Sequence, residues 1–511
     1  MKLFLRRNAP LFYALAAMLA LYIPWLNRGF NNFEYPFVSA GRALAFSYDS
    51  NLIESYWASV ANPLGYPLLL SMFYRFFGFS DAFWVSRLPA LVGIVLILFA
   101  GWLMTKNTWR EKRYLFYFWS ALVVLQPMIA VFSTSGTTDI LPVGLLMISI
   151  AIAVKNEEIS FLNVLSIGVI FGIAVIVKYN TAYFGLALVS SSLIYTPSST
   201  WQKYRKIPST LIYILIPGTI LCVYLFWCYS RFGIFISAKF ETSEPHFFDL
   251  VSLSKNLAKY LAFFGMFCGV LPLTVIFANE GVSSLRARWI AIVAVLAPIG
   301  WFSSGLSLGE MDYGRFFEGR YLFLLRIIET VGFILGVFSI ISMFMTTWLT
   351  SRIKITILSG LIPYLFLISA SYPSQRYLTF AIPGALLLLT DATQRISLRL
   401  GKLFVGVTAL GFAAVSLLGM SYLTSQGNAS EEMAVWVEEN DLISQTSVGA
   451  ISPHAGQHFW GVKTTELLYE IIAVTPENES QIKERVLHRE PMKVLGKVTR
   501  VYLLREIPAT P

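Results

Sequence analysis

Trp84-Val-Ser-Arg-Leu-Pro-Ala-Leu-Val-Gly-Ile-Val-Leu-Ile-Leu-Phe-Ala-Gly-Trp-Leu-Met-Thr105 holds one charged side chain, Arg87, in 22 residues. A helix of that length rises about 33 Å, enough to cross the hydrocarbon core of a bilayer. Reading outward for similar runs gives thirteen candidate crossings, at 9–27, 84–105, 114–132, 140–154, 161–178, 181–195, 208–229, 256–278, 289–307, 321–345, 355–371, 377–390 and 403–423. The whole chain agrees: 511 residues, 56% hydrophobic, 13% charged, with a mean hydropathy of +0.64. A soluble domain carries about 25% charged residues. The expected fold is therefore an all-α polytopic membrane protein. Disorder, collagen, coiled coil and a disulfide scaffold are excluded, and Cys222, Cys228 and Cys268 all fall in apolar stretches. The N-terminal Lys2, Arg6 and Arg7 precede an apolar run with no small-residue cleavage site, so a retained first helix is expected.

The net charge of +10 points to topology rather than to nucleic acid, because the basic residues lie mostly between apolar runs. With the N-terminus in the cytoplasm, the inside segments hold 18 basic residues against five acidic ones. The outside segments and helices up to residue 424 hold 13 basic and 12 acidic. This balance predicts a multi-pass membrane protein with its N-terminus in the cytoplasm and residues 425–511 outside. In that tail 20 of 87 residues are charged, against 48 of 424 before it. The division is thus a transmembrane domain over 1–424 and a small α/β extracytoplasmic domain over 425–511. The tail's pattern predicts helices at Glu431–Asn440 and Thr464–Ile472 and strands at Ser447–Ile451 and Thr499–Arg505.

Between the first two crossings, residues 28–83 form a long outer loop, and loops of this length are usually functional. Phe37, Ala40, Ala43 and Leu44 recur at helical spacing and predict a helix on the membrane surface, opened by Glu34. Asn62-Pro-Leu-Gly-Tyr-Pro-Leu-Leu-Leu…Phe-Phe-Gly78 is apolar but short and interrupted by Pro63 and Pro67, so it too is placed at the interface.

These segments resemble the polyprenyl-phosphate-sugar-dependent glycosyltransferases of the GT-C superfamily, in the branch of bacterial relatives of protein O-mannosyltransferases and the lipid A aminoarabinose transferase. The resemblance rests on Glu34 with its Ala40–Leu44 helix, the Asn62 segment, Ser86-Arg-Leu-Pro-Ala-Leu, Thr137-Thr-Asp-Ile-Leu-Pro142 and Gly172-Ile-Ala-Val-Ile-Val-Lys-Tyr-Asn-Thr181. It is strongest over residues 1–195. Two departures stand out: Phe33-Glu34 replaces an Asp-Glu pair, and Asn62 stands where a Lys or His often precedes the proline. The resemblance implies transfer of a sugar, with inversion, from a polyprenyl monophosphate to an acceptor hydroxyl on a lipid, glycan or protein.

That chemistry needs a carboxylate to take the acceptor's proton and cations to stabilise the leaving phosphate. Glu34 is the expected catalytic base, with Asp139 the alternative catalytic carboxylate; Lys178, Arg315, Arg320, Arg376 and Tyr313 are the candidates for donor binding. Each has a plainer reading. Glu34 suits a helix N-terminus, Asp139 a first-turn cap, and Lys178 a lysine snorkelling to the headgroups. The charged, aromatic segment Glu310–Tyr321 reads as a site wall or an interfacial aromatic belt. Arg326 and Glu329, three apart in one crossing, are expected to pair for structural reasons. No Gly-rich phosphate loop, Asp-x-Asp motif or His/Cys metal cluster appears, so no cofactor is expected and metal dependence is not legible. The competing classes are a transporter or flippase, and a polymerase or ligase using a lipid-diphosphate donor.

Overall fold

The computed structural model describes residues 2–30, 34–47, 53, 56, 62–77, 83–155, 161–194, 206–233, 235, 249–278, 292–301, 322–370, 374–448 and 467–507. All thirteen apolar runs contain helix. Among the described residues six helices are individually long and apolar enough to cross a membrane, or eight if each of two bent pairs counts as one span. The count of thirteen crossings is not reached on that criterion, because runs such as Ile140–Lys155 and Ile382–Ala392 form helices shorter than a full bilayer crossing.

One bent pair has a local cause. Tyr114–Leu125 and Pro127–Ser133 meet at 64°. Pro127 has no N–H to continue the first helix, and the Gln126 side chain accepts from Ile129 N at 2.9 Å, capping the second. The bend leads the chain into the buried segment Ser133–Asp139. Close helix packing relies on small residues: a Cβ on Gly144 would lie 2.3 Å from the carbonyl oxygen of Gly93.

The loop helix Tyr35–Arg42 differs from its expected place. Phe37, Ala40, Ala43 and Leu44 are buried, packed with Tyr66, Leu70 and Tyr74 of the Gly65–Phe77 helix, so its apolar face meets protein rather than lipid. The Asn62 motif is pinned from two sides. Tyr224 of the Lys206–Phe232 helix accepts from Leu64 N at 2.6 Å. Gly65 has no room for a side chain, since a Cβ there would stand 2.1 Å from the carbonyl oxygen of Ile176.

The last α-helix among the described residues runs unbroken from Leu398 to Glu439, 42 residues or about 63 Å. The compositional boundary at residue 425 therefore falls inside a helix, and the predicted Glu431–Asn440 helix is its continuation. Among the described residues four strands follow, β1 (Thr446–Ser447), β2 (Tyr469–Val474), β3 (Val486–Val494) and β4 (Lys497–Glu506), in the order β1-β2-β4-β3. The helix predicted over Thr464–Ile472 is strand from Tyr469 onward, because its apolar residues pair with the buried Val501–Leu504 of β4. Trp436 of the long helix stacks on His488 of β3, with ring centroids 4.4 Å apart.

Candidate functional site

Glu34 is the N-cap residue of the Tyr35–Arg42 helix, yet its carboxylate leaves that helix's amides alone. It is fully buried. Arg87, in the first turn of Phe83–Thr105, donates from Nε to Oε1 at 2.7 Å and from Nη2 to Oε2 at 2.9 Å. Arg28 Nη1 reaches Oε2 at 3.3 Å, and the Gly136 amide donates to Oε1 at 2.7 Å. Arg87 also donates to the carbonyls of Leu26, Arg28 and Gly29, so one guanidinium fastens the end of the first crossing to the start of the next crossing. Burial alone would raise the Glu34 pKa. The Arg87 and Arg28 charges outweigh it and hold the carboxyl at about 2.

Asp139 lies on the far side of the same short segment. Arg28 Nη2 donates to the Thr134 carbonyl at 3.0 Å and to Ser135 Oγ at 3.1 Å; Gly136 serves Glu34; Asp139 ends the stretch. Lys178 Nζ donates to Asp139 Oδ1 at 2.6 Å and Arg376 Nη2 to Oδ2 at 2.7 Å. Burial raises the Asp139 pKa, but the Arg376 and Lys178 charges hold it well below the usual carboxylate range. Lys178 stands 5.5 Å from the ring centroids of both Tyr377 and Phe380, and Arg376 lies over the Phe132 ring at 5.1 Å.

The segment Thr134–Asp139 thus bridges two buried ionic clusters, each a carboxylate with two cations and a formal charge of +1. Their exposure differs. In the ion pairs of Glu34 with Arg28 and Arg87, and of Asp139 with Lys178, no side chain exceeds 3%, whereas Arg376 is 27% exposed. The second cluster therefore opens to the surface through Arg376. The Thr137 and Thr138 hydroxyls between the clusters are buried with no hydrogen-bond partner among the described residues.

Of the predicted site residues, Asp139, Lys178 and Arg376 come together, and Glu34 is joined to them through residues 134–139. Tyr313, Arg315 and Arg320 lie outside the described residues. Arg28 and Arg87 were not among the predicted site residues. The signal for Arg87 was its position as the single charge in an apolar run, since intramembrane charges are functional candidates by default. Arg326 and Glu329, expected to pair, share no hydrogen bond or close ion pair among the described residues: both Glu329 oxygens are buried without a hydrogen-bond partner there, and Arg326 sits 5.9 Å from the Trp301 ring centroid.

Fold and site together define a polytopic α-helical membrane protein with a small C-terminal sheet and paired ionic clusters at one end of its helices. The chain is similar to the crystal structure of ArnT from Cupriavidus metallidurans in the apo state, with 15% identity over 96% of this chain and 97% of that one and a TM-score of 0.47. It is likewise similar to ArnT from Cupriavidus metallidurans bound to undecaprenyl phosphate, with 14% identity over 99% of both chains and a TM-score of 0.47. No family model matches the chain, and no curated protein matches it.

Proposed function

We propose that the protein is an integral-membrane inverting glycosyltransferase that moves a sugar from a polyprenyl monophosphate to an acceptor hydroxyl at the outer face of the inner membrane. The observation that supports this reading most is the Asp139–Lys178–Arg376 cluster. It offers a carboxylate with two cations, Lys178 at 2.6 Å from one oxygen and Arg376 at 2.7 Å from the other, and Arg376 reaches the surface. In this reading the donor phosphate takes up Lys178 and Arg376; Arg315, Arg320 and Tyr313 are kept as further donor-binding candidates from the sequence alone. Phosphate arriving there competes with Asp139 for its two cations. The carboxylate so released regains proton affinity and accepts the acceptor's proton as the acceptor oxygen bonds to the anomeric carbon. The anomeric carbon–phosphate bond breaks, and the polyprenyl phosphate departs with its charge held by the same cations.

Glu34 is the other candidate base. Its oxygens already accept four hydrogen bonds, which favours a role in fixing Arg87 and residues 134–139, and makes Asp139 the better-placed proton acceptor. The orientation in this reading is N-terminus inside and residues 425–511 outside, which a reporter fused after Ser425 tests. The decisive assay supplies membranes with labelled polyprenyl-phosphate sugars and compares Asp139→Asn with Glu34→Gln. Label transfer lost by about 10²–10⁴ in kcat in Asp139→Asn supports the assignment. Normal transfer in Asp139→Asn with a dead, stably folded Glu34→Gln reverses the roles, and no transfer from any donor by the parent chain ends the reading.

A further inference from the structure

The far end of the helices, away from the two ionic clusters, carries an open-sided groove of about 550 Å³ between the Tyr114–Leu125 and Leu398–Glu439 helices. Both helices begin at this end and run inward together. Tyr114 and Phe118, one turn apart with ring centroids 5.5 Å from each other, form one wall. Leu398, Lys402, Val405 and Gly406 form the other. Polarity follows depth: Lys402 lies about 6 Å past the helix start and Gly406 about 6 Å deeper. Beyond Lys402 the lining is Phe118, Val405 and the bare backbone of Gly406, where an added Cβ would meet nothing within 4 Å.

The charge around the mouth is one-sided. Segments 106–113 and 391–402 contain seven Lys and Arg residues against Glu111 and Asp391. Asp391 is already engaged: it accepts from Trp109 Nε1 and from the Trp348 amide, each at 2.9 Å. Lys112 donates to Gln394 at 3.0 Å and stands 4.2 Å from the Trp348 ring centroid, and Tyr114 donates to the same Gln394 oxygen at 2.9 Å. Lys402 and Arg399, three residues apart on one helix and both exposed, make no ion pair or hydrogen bond among the described residues.

We propose that this groove is a binding site for one anionic phospholipid, its phosphate on Lys402 and Arg399 and an acyl chain against Phe118, Val405 and Gly406. A cation at the mouth and an apolar floor below it match such a lipid in both charge and depth. A lysine stem packs along apolar surface while its ammonium stays at headgroup level, and basic pockets between membrane helices suit anionic headgroups. A zwitterionic lipid would satisfy the floor but not the surplus charge.

Native mass spectrometry of the full chain in detergent, titrated with phosphatidylglycerol or phosphatidylcholine, tests this. The parent should retain one more phosphatidylglycerol than phosphatidylcholine. Lys402→Gln should weaken that copy about fivefold, the worth of one lysine near an anionic leaflet. Gly406→Leu, which fills open space, should remove the copy without lowering the unfolding midpoint in lipid-free detergent. Equal retention of phosphatidylcholine by the parent overturns the proposal. So does an undiminished phosphatidylglycerol count in both variants, or displacement of the lipid by glycerol phosphate alone, which would leave the apolar floor without a role.

Discussion

The Glu34 carboxylate and the Arg87 guanidinium, 53 residues apart in the chain, meet in a two-point ion pair of 2.7 and 2.9 Å with neither side chain accessible. Planar fork geometry makes such a pair specific as well as strong. Because Arg87 also holds the Leu26, Arg28 and Gly29 carbonyls, the pair locks the exit of the first crossing to the entry of the next crossing. Glu34 thus positions the backbone that places Asp139.

A stability measurement separates that role from base chemistry. Glu34→Gln removes the charge while Arg87 and Arg28 stay buried, and breaking a buried pair this way destabilises by about 3–5 kcal/mol. The expected result is a clearly lowered thermal midpoint in detergent, with Arg87→Met showing a similar loss. An unchanged midpoint for Glu34→Gln, alongside lost turnover, would return Glu34 to the role of base.

Acid should act through the same groups. Glu34 has a folded-state pKa of about 2 against an ordinary 4.5, and Asp139 is also depressed. Their contribution is therefore fully present above about pH 5 and disappears as pH falls toward 2. For Glu34 it is on the order of 3 kcal/mol. Unfolding midpoints followed from pH 7 to pH 3 should drop steeply below pH 5 in the parent and less steeply in Glu34→Gln. Parallel curves for the two proteins would count against the pairing.

How far the sequence revealed this arrangement depends on the range of the interactions involved. Apolar runs are local, so each of the thirteen marked a helix, but run length alone did not distinguish a full crossing from the short Ile140–Lys155 helix. Lys178 and Asp139 were legible as charges at helix ends; their contact across 39 residues was not. The surface placement of the Phe37–Leu44 face failed because an apolar stripe fits a neighbouring helix as well as lipid. In the tail, the charged β3 was missed altogether. Its Pro491 is tolerated because β3 is an edge strand, and its turn uses Leu495 and Gly496 at φ 50° and 80°, where Asn-Gly is the usual signal.

Donor affinity should follow the second cluster. Lys178→Met and Arg376→Ala each remove a charged hydrogen-bonding group, an effect of about 1.5–3 kcal/mol. Apparent donor KM should rise about ten- to a hundredfold in each, with acceptor KM little changed. Unaltered donor kinetics in both variants would remove the cluster from the phosphate's path.

Glu329 makes the opposite kind of prediction. A buried carboxylate with no hydrogen-bond partner among the described residues destabilises a membrane helix. Glu329→Met keeps the length of the side chain and removes the burden, so the thermal midpoint should rise by the equivalent of about 1–3 kcal/mol. A fall of that size instead would mean that Glu329 has a charge partner, with Lys259 and Arg326, the two cations whose charges act on it, the first to examine.

The last prediction concerns the junction between the long helix and the site. A Cβ on Gly427 would stand 2.3 Å from the Gly29 carbonyl oxygen, one on Gly29 would stand 2.3 Å from that of Gly427, and the Gly29 amide donates to Asn428 Oδ1 at 3.1 Å. Gly29 follows Arg28, which holds Glu34 and the Thr134 carbonyl. Gly427→Ala would force the two backbones apart and draw Arg28 with them. Ordinarily Gly→Ala inside a helix stabilises by about 0.5–1 kcal/mol. Gly411 on the same helix has open space around its missing side chain and should show that gain. Gly427→Ala should instead lose about 1–3 kcal/mol, as overpacking does, and should lower transfer activity by displacing Arg28. Thermal midpoints and turnover measured on the two variants together decide it. If Gly427→Ala stabilises as much as Gly411→Ala and leaves turnover intact, the long helix is not coupled to the Glu34 cluster.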